Sequence, residues 1–123
     1  MRILLIEPDK ILADIYSQAL AESGHTVNWQ PDAQQAVLAA DERKPDAVIL
    51  ELQLAAHNGV EFLYEFRSYS EWQDIPVVVL STVPDVSLSP TLQSQLGVVA
   101  YHYKPRTTLK QLLEVLDELA VPV

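Results

Sequence analysis

The sequence contains no cysteine, which excludes disulfides, thiolate metal sites and a thiol nucleophile. It also lacks long apolar runs. The N-terminal "MRILLIEPDK" holds too few apolar residues before its first carboxylate for a signal peptide or a membrane span, so a cytoplasmic chain is expected. Basic residues are scarce: eight stand against 17 acidic ones, and the formal net charge of -9 opposes attraction to phosphate backbones and anionic lipid. Neither nucleic acid nor membrane is expected as a partner. With three glycines there is no Gly-rich loop to cradle a phosphate. The histidines, His25, His57 and His102, fall in different elements without helical pairing, which argues against a metal cluster. His57 follows Glu51 in a loop, and a phosphohistidine there has only proximity in its favour.

What the chain does have is alternation. At 49% hydrophobic and 20% charged residues, its 123 positions suit one globular domain over 1–123. The runs "ILLI" (3–6), "AVIL" (47–50) and "VVVL" (77–80) suit strands buried on both faces. "VVAYHY" (98–103) adds another, and "HTVNW" (25–29) alternates as an edge strand does. Helical spacing covers 10–22, with Ile11, Leu12, Ile15, Tyr16, Ala19 and Leu20 on one stripe ending at Ser23-Gly24. Asp32 caps a second helix over 33–42, and Asn58-Gly59 opens a third over 60–69. A short helix at 90–96 closes at Gly97, and the last, 108–119, repeats Leu109, Leu112, Leu113, Leu116 and Leu119. Strands alternating with helices predict an α/β fold, a flavodoxin-like doubly wound parallel sheet of order 2-1-3-4-5 with five helices. Ligands of such sheets bind beyond the carboxyl ends of the strands.

That edge receives Glu7, Pro8 and Asp9 after the first strand, Glu51 after the third, Ser81 and Thr82 after the fourth, and Lys104-Pro105 after the fifth. A carboxylate such as Glu51, following four apolar residues, is costly unless something pairs with it. The blocks "RILLIEPDKILADIY", "KPDAVILELQL" followed by "HNGVEFL", "IPVVVLST" and "LGVVAYHYKP" resemble, in order and spacing, the receiver domain of two-component response regulators over essentially the whole chain.

The resemblance implies a phosphorylation switch. An aspartate ending the third strand takes a phosphoryl group from a histidine kinase, an acidic pair after the first strand holds Mg²⁺, a Ser/Thr after the fourth bonds the phosphoryl oxygen, and a Lys after the fifth balances charge. By position the acceptor is Glu51, the acidic pair falls on Glu7 and Pro8, the hydroxyl is Ser81 and the lysine is Lys104. Two of these depart from the pattern. Glu51 is one methylene longer than aspartate, and displacement of a reacting group by about an ångström can cost ~10²-fold in rate. Pro8 offers no side-chain oxygen to a cation that wants near-octahedral oxygen ligands. No metal or other cofactor is therefore expected, Glu7 and Glu51 being the nearest to a ligand set for Mg²⁺. Asp9, just before a helical run, reads as its cap. Lys104 is the expected ion-pair partner of Glu51. Ser81 bonds either Glu51 or local backbone.

The resemblance also implies an output surface made by helix 4, strand 5 and helix 5, with Tyr101 at the position of its moving aromatic residue. The plain alternative is a strand tyrosine packed at the surface. Val99 with Tyr101, Tyr103 and Arg106 forms either a partner or homodimer surface or ordinary packing under 84–96. The expected function is that of a stand-alone atypical receiver, not an enzyme, with phosphorylation lost or impaired. Because the sequence ends at "AVPV" after the fifth helix, no output domain is expected, and the effect passes through a signalling partner, a histidine kinase or an effector. Glu51 then either imitates a phosphorylated aspartate or locks an inactive pocket. Two alternatives stand beside this reading: a Mg²⁺-dependent phosphoacceptor, and a small-molecule-binding flavodoxin-like protein or enzyme. The carboxylates of "IEPDKI" disfavour the latter, because they repel a flavin phosphate.

Overall fold

β1 (Arg2–Ile6), β3 (Ala47–Leu50) and β4 (Val77–Ser81) are buried almost throughout, as apolar runs lacking a polar face require. A computed structural model describes residues 1–54, 58–84 and 89–120 of the chain. Among the described residues, β2 (Thr26–Gln30) and β5 (Val98–Tyr103) complete a parallel sheet of order β2-β1-β3-β4-β5. Five α-helices cover it: α1 (Lys10–Glu22), α2 (Ala33–Glu42), α3 (Gly59–Ser68), α4 (Pro90–Gln95) and α5 (Leu109–Ala120). This is the flavodoxin-like architecture predicted from the alternation.

Side chains alternate across each strand and build a core on either face. Leu4, Ile6, Val48, Leu50, Val77 and Val79 pack with α2, α3 and Leu96 at the end of α4. Ile3, Leu5, Ile49, Val78 and Leu80 pack with α1 and α5 through Tyr16, Leu20, Leu112 and Leu116. Each such side chain stabilises by roughly 1.5–3 kcal/mol on burial.

The stripe expected on α1 is too broad. Ala13, Tyr16 and Leu20 are buried, whereas Ile11 is 74% and Ile15 45% exposed. A helix lying on a sheet buries a central stripe, and these isoleucines lie outside it. Leu109, expected inside, is likewise 38% exposed at the first turn of α5. Thr108 is not helical but caps α5: its hydroxyl accepts from the Gln111 N–H (3.1 Å) while the Gln111 side chain accepts from the Thr108 N–H (2.9 Å). His25 precedes β2 rather than starting it, because its N–H closes the end of α1 on the Leu20 carbonyl after Gly24 turns the chain at φ 90°.

Two features were not foreseen. A short 3-10 turn, Ser70–Trp72, inserts Trp72 against Phe66 with ring centroids 5.0 Å apart. The β4–β5 register also skips Val99: Val77 pairs with Val98 and Val78 with Ala100. This bulge turns Val99 outward, 54% exposed, and sets Tyr101 opposite Val79 and Tyr103 opposite Ser81.

Candidate functional site

Three buried strands end at one edge of the sheet, and the residue at or just after each end is polar yet withdrawn from water: Glu7, Glu51 and Ser81. Lys104, immediately after β5, reaches in above them. Its ammonium lies 2.6 Å from Glu7 Oε1 and 2.7 Å from Glu51 Oε1. Two carboxylates thus share one cation in a pocket where an unpaired charge would be heavily penalised.

Glu51 is bound from three further directions. Its Oε1 accepts from the Thr82 N–H (3.1 Å), and its Oε2 accepts from the Gln53 N–H (3.0 Å) and from the Ser81 hydroxyl. Ser81 Oγ in turn accepts from the N–H groups of Val83 (3.0 Å) and Leu52 (3.4 Å), so it serves both Glu51 and the local backbone. Above the carboxylate, the Thr82 hydroxyl donates to Gln53 Oε1 (2.8 Å) and ties the loop after β3 to the loop after β4. Glu7 is held as firmly. Its Oε2 accepts from the Asp9 N–H (3.1 Å), and its carbonyl accepts from the Trp29 indole N–H (2.8 Å).

These contacts set the charge states. Burial raises the Glu51 pKa, but the bonds from Lys104, Ser81 and the Gln53 N–H outweigh it and bring the carboxyl below its ordinary value. Burial lowers the Lys104 pKa, and the bonds to Glu51 and Glu7 outweigh that in turn, raising it. Both groups are held charged. Tyr16, buried beneath the same cluster, is pushed up mainly by desolvation.

The other expected residues fall as follows. Asp9 caps α1, accepting from the Ile11 (2.9 Å) and Leu12 (3.2 Å) N–H groups, and is not aimed at Lys104. Pro8 is exposed and contributes no oxygen. Tyr101 lies half-buried on β5 and donates its hydroxyl to the Val83 carbonyl (2.6 Å), two residues from Ser81. Val99, Tyr103 and Arg106 are outside the pocket: Val99 and Arg106 are exposed, and Tyr103 is half-buried. His57 lies outside the described residues.

Mg²⁺, which the resemblance implies, demands an open set of oxygen ligands. Each of the four carboxylate oxygens of Glu7 and Glu51 already accepts from a protein donor, and the Lys104 ammonium stands between the two groups. This donor set does not fit a divalent cation. Among the described residues no group of three or more His, Asp or Glu is placed to hold a metal ion.

Sequence reasoning paired Lys104 with Glu51 but missed Glu7 as the second acceptor. The signal was available, since Glu7 ends the neighbouring strand in the same way. Gln53, Trp29 and the Thr82 N–H carried no such signal, because backbone donors and loop crossings are not written in residue type.

Residues 3–117 match the model of the response regulator receiver domain family. The transcriptional regulatory protein QseB of Haemophilus influenzae is 37% identical over 81 residues, which cover 66% of this chain and 36% of QseB. The chain therefore spans about a third of that relative's length. The fold is similar to that of a CheY-like receiver domain protein from Methanospirillum hungatei JF-1, with a TM-score of 0.85 at 20% identity over 95% of this chain and 90% of the other. It is also similar to the Mn²⁺-bound form of response regulator Rcp1, with a TM-score of 0.79 at 24% identity over 99% of this chain and 96% of that one. Among the described residues no helix is long and apolar enough to cross a membrane.

Proposed function

The chain belongs to the response regulator receiver domain family of two-component signalling, and from that premise we propose that it is an atypical receiver which signals by protein interaction without taking up a phosphoryl group. One observation carries this reading. Both oxygens of Glu51 are already taken: they collect the two side-chain partners that the resemblance assigns to a phosphorylated aspartate, the hydroxyl of Ser81 and the ammonium of Lys104, and they accept from the backbone N–H groups of Gln53 and Thr82 as well. Glu51 acts here as a permanent stand-in for the phosphorylated side chain. The pocket then holds Thr82 and Val83, and through the Val83 carbonyl it holds Tyr101, in one arrangement.

An uncommitted pocket would need a metal and a free acceptor oxygen, and both are replaced by internal contacts. The output passes through surfaces. Val99, Tyr103 and Arg106 mark the face of α4, β5 and α5, suited to a partner or to a second copy. Ile11 and Ile15, exposed one turn apart on α1, offer an apolar contact close to Asp9 and the pocket.

Incubation with Mg²⁺ and acetyl phosphate, followed by intact-mass measurement, tests the proposal. An unchanged mass is expected. A Mg²⁺-dependent phosphoryl adduct that disappears in Glu51→Gln would overturn it and establish a phosphoacceptor receiver instead.

A further inference from the structure

The two edges of the sheet differ. β5 is bulged at Val99, and a bulge twists an edge away from a further strand. β2 pairs with β1 in unbroken register from Thr26 to Gln30 and has no strand on its other side among the described residues. It carries none of the devices that blunt an edge, since Thr26–Gln30 contains no charge, no proline and no bulge. In a chain with a net charge of -9, such an uncharged stretch is where a second copy can approach with least repulsion. The hydrogen-bond phase of the edge is fixed by β1. The Thr26 N–H donates to the Met1 carbonyl (2.9 Å) and the Gln30 carbonyl accepts from the Glu7 N–H (3.1 Å), so Thr26, Asn28 and Gln30 turn their backbone groups inward. Val27 and Trp29, between them, turn N–H and C=O outward to the open edge.

That spacing is complementary to itself. When two copies of β2 run antiparallel about a two-fold axis at Asn28, Val27 of each faces Trp29 of the other, and each facing pair exchanges both of its N–H···O bonds. The side chains agree with this register. On the face towards α1 and α5, Val27 and Trp29, already packed against the core there, form β-branched–aromatic pairs across the junction. On the face towards α2, Asn28 meets Asn28 and Thr26 meets Gln30, all uncharged and able to hydrogen-bond. Beyond the strand, His25 meets Pro31 and Gly24 meets Asp32, so no two acids are opposed. A shift by two residues in either direction loses bonds. It sets Val27 against Pro31, which has no N–H, or Trp29 against His25, whose N–H is already given to the Leu20 carbonyl (3.1 Å). We propose that β2 is a self-association edge, at which two copies of this chain pair antiparallel about Asn28 and join their sheets into one. The pairing lies at the opposite edge from β5 and does not rest on the state of Glu51.

The test is hydrogen exchange of the full chain, read amide by amide at low and high protein concentration, with molar mass measured by light scattering. Molar mass should rise towards that of a dimer with concentration, and the Val27 and Trp29 N–H groups, open in the single chain, should become protected in step with it. Asn28→Lys and Asn28→Asp each set like charges opposite one another at the axis and should each stay monomeric, while an equimolar mixture of the two should recover the dimer. Asn28 is half-buried at the edge, so both variants should keep the wild-type circular dichroism; if either does not fold, the exchange pattern of the wild type decides alone. Val99→Lys, on the face of α4, β5 and α5, should leave the dimer intact. A wild type that is monomeric at every concentration, a dimer without protection at Val27 and Trp29, a dimer that survives both Asn28 variants or is lost in Val99→Lys, or a mixture of the two folded Asn28 variants that stays monomeric would each overturn the proposal.

Discussion

Lys104 bonds Glu51 at 2.7 Å while keeping Glu7 at 2.6 Å, so one ammonium is shared by two carboxylates that are each at most 4% exposed. Removing that cation leaves both acids buried without a counter-charge. Lys104→Met should therefore cost about 3–5 kcal/mol in chemical denaturation, the range for breaking a buried pair. Lys10→Met, which breaks the exposed pair with Asp14, should stay within about 0.5 kcal/mol. Adding Glu51→Gln to Lys104→Met should recover part of the loss, and a double-mutant cycle measures the coupling. Equal effects of the two lysine substitutions would mean that water reaches the pocket.

The same pair fixes a pH window. The Glu51 carboxyl is held below its ordinary 4.5, so the unfolded chain binds its proton first and the stability it contributes is present above about pH 4.5 and lost as pH falls through the lower folded value. Lys104 is held above 10.5, so its contribution is complete below that pH and is lost as pH rises through the higher folded value. Unfolding free energy should be flat with respect to this pair between those limits and fall on both sides. Glu51→Gln should flatten the acid limb, which urea titrations at stepped pH would show.

Shortening the acceptor side chain separates length from metal binding. Glu51→Asp withdraws the carboxylate by one methylene from the Thr82 N–H and Lys104, and should cost about 1–3 kcal/mol as those donors lose their acceptor. It should not gain a phosphoryl group from acetyl phosphate and Mg²⁺, because Pro8 still supplies no oxygen. Pro8→Asp combined with Glu51→Asp is the variant expected to become phosphorylated, read by intact mass. Phosphorylation of the single variant would assign the loss of chemistry to side-chain length alone.

The fold and half of the site were legible because both follow from burial. Runs such as "AVIL" and "VVVL" have no polar face to offer water, and Glu51 at the end of such a run demands a cation, which the strand-end geometry confines to Lys104. Asp9 was legible as a cap because a carboxylate directly before a helical run has N–H groups to accept from. Ile11 and Ile15 were misplaced because periodicity gives the phase of an apolar stripe but not its width, which the neighbouring elements decide. Glu7 was placed at the pocket edge but not paired with Lys104, because one cation had been matched to one carboxylate although both acids end neighbouring strands in the same way. The skip at Val99 and the crossing from Thr82 to Gln53 depend on register between strands, which no local pattern encodes.

Arg67 shows the same limit and gives a prediction of its own. From within α3 its guanidinium donates to the carbonyls of Leu96 (2.8 Å), Trp72 (2.7 Å), Gln73 (3.2 Å), Ile75 (2.6 Å) and Gly97 (3.3 Å). It thereby ties the 3-10 turn and the approach to β4 to the end of α4, where Gly97 turns at φ 70°. Burial lowers its pKa, yet a guanidinium stays charged at any working pH, so what its loss removes is a fork of donors. Arg67→Met should cost several kcal/mol, at about 1–3 for each buried carbonyl left without a partner and less where water reaches it. Arg67→Lys should restore little of this, since an ammonium on a flexible stem cannot span the same acceptors. Hydrogen exchange should show faster opening at Ile75, Val77 and Gly97 in both variants, with the Lys104 pocket unchanged. Near-wild-type stability of Arg67→Lys would reduce the cluster to simple charge.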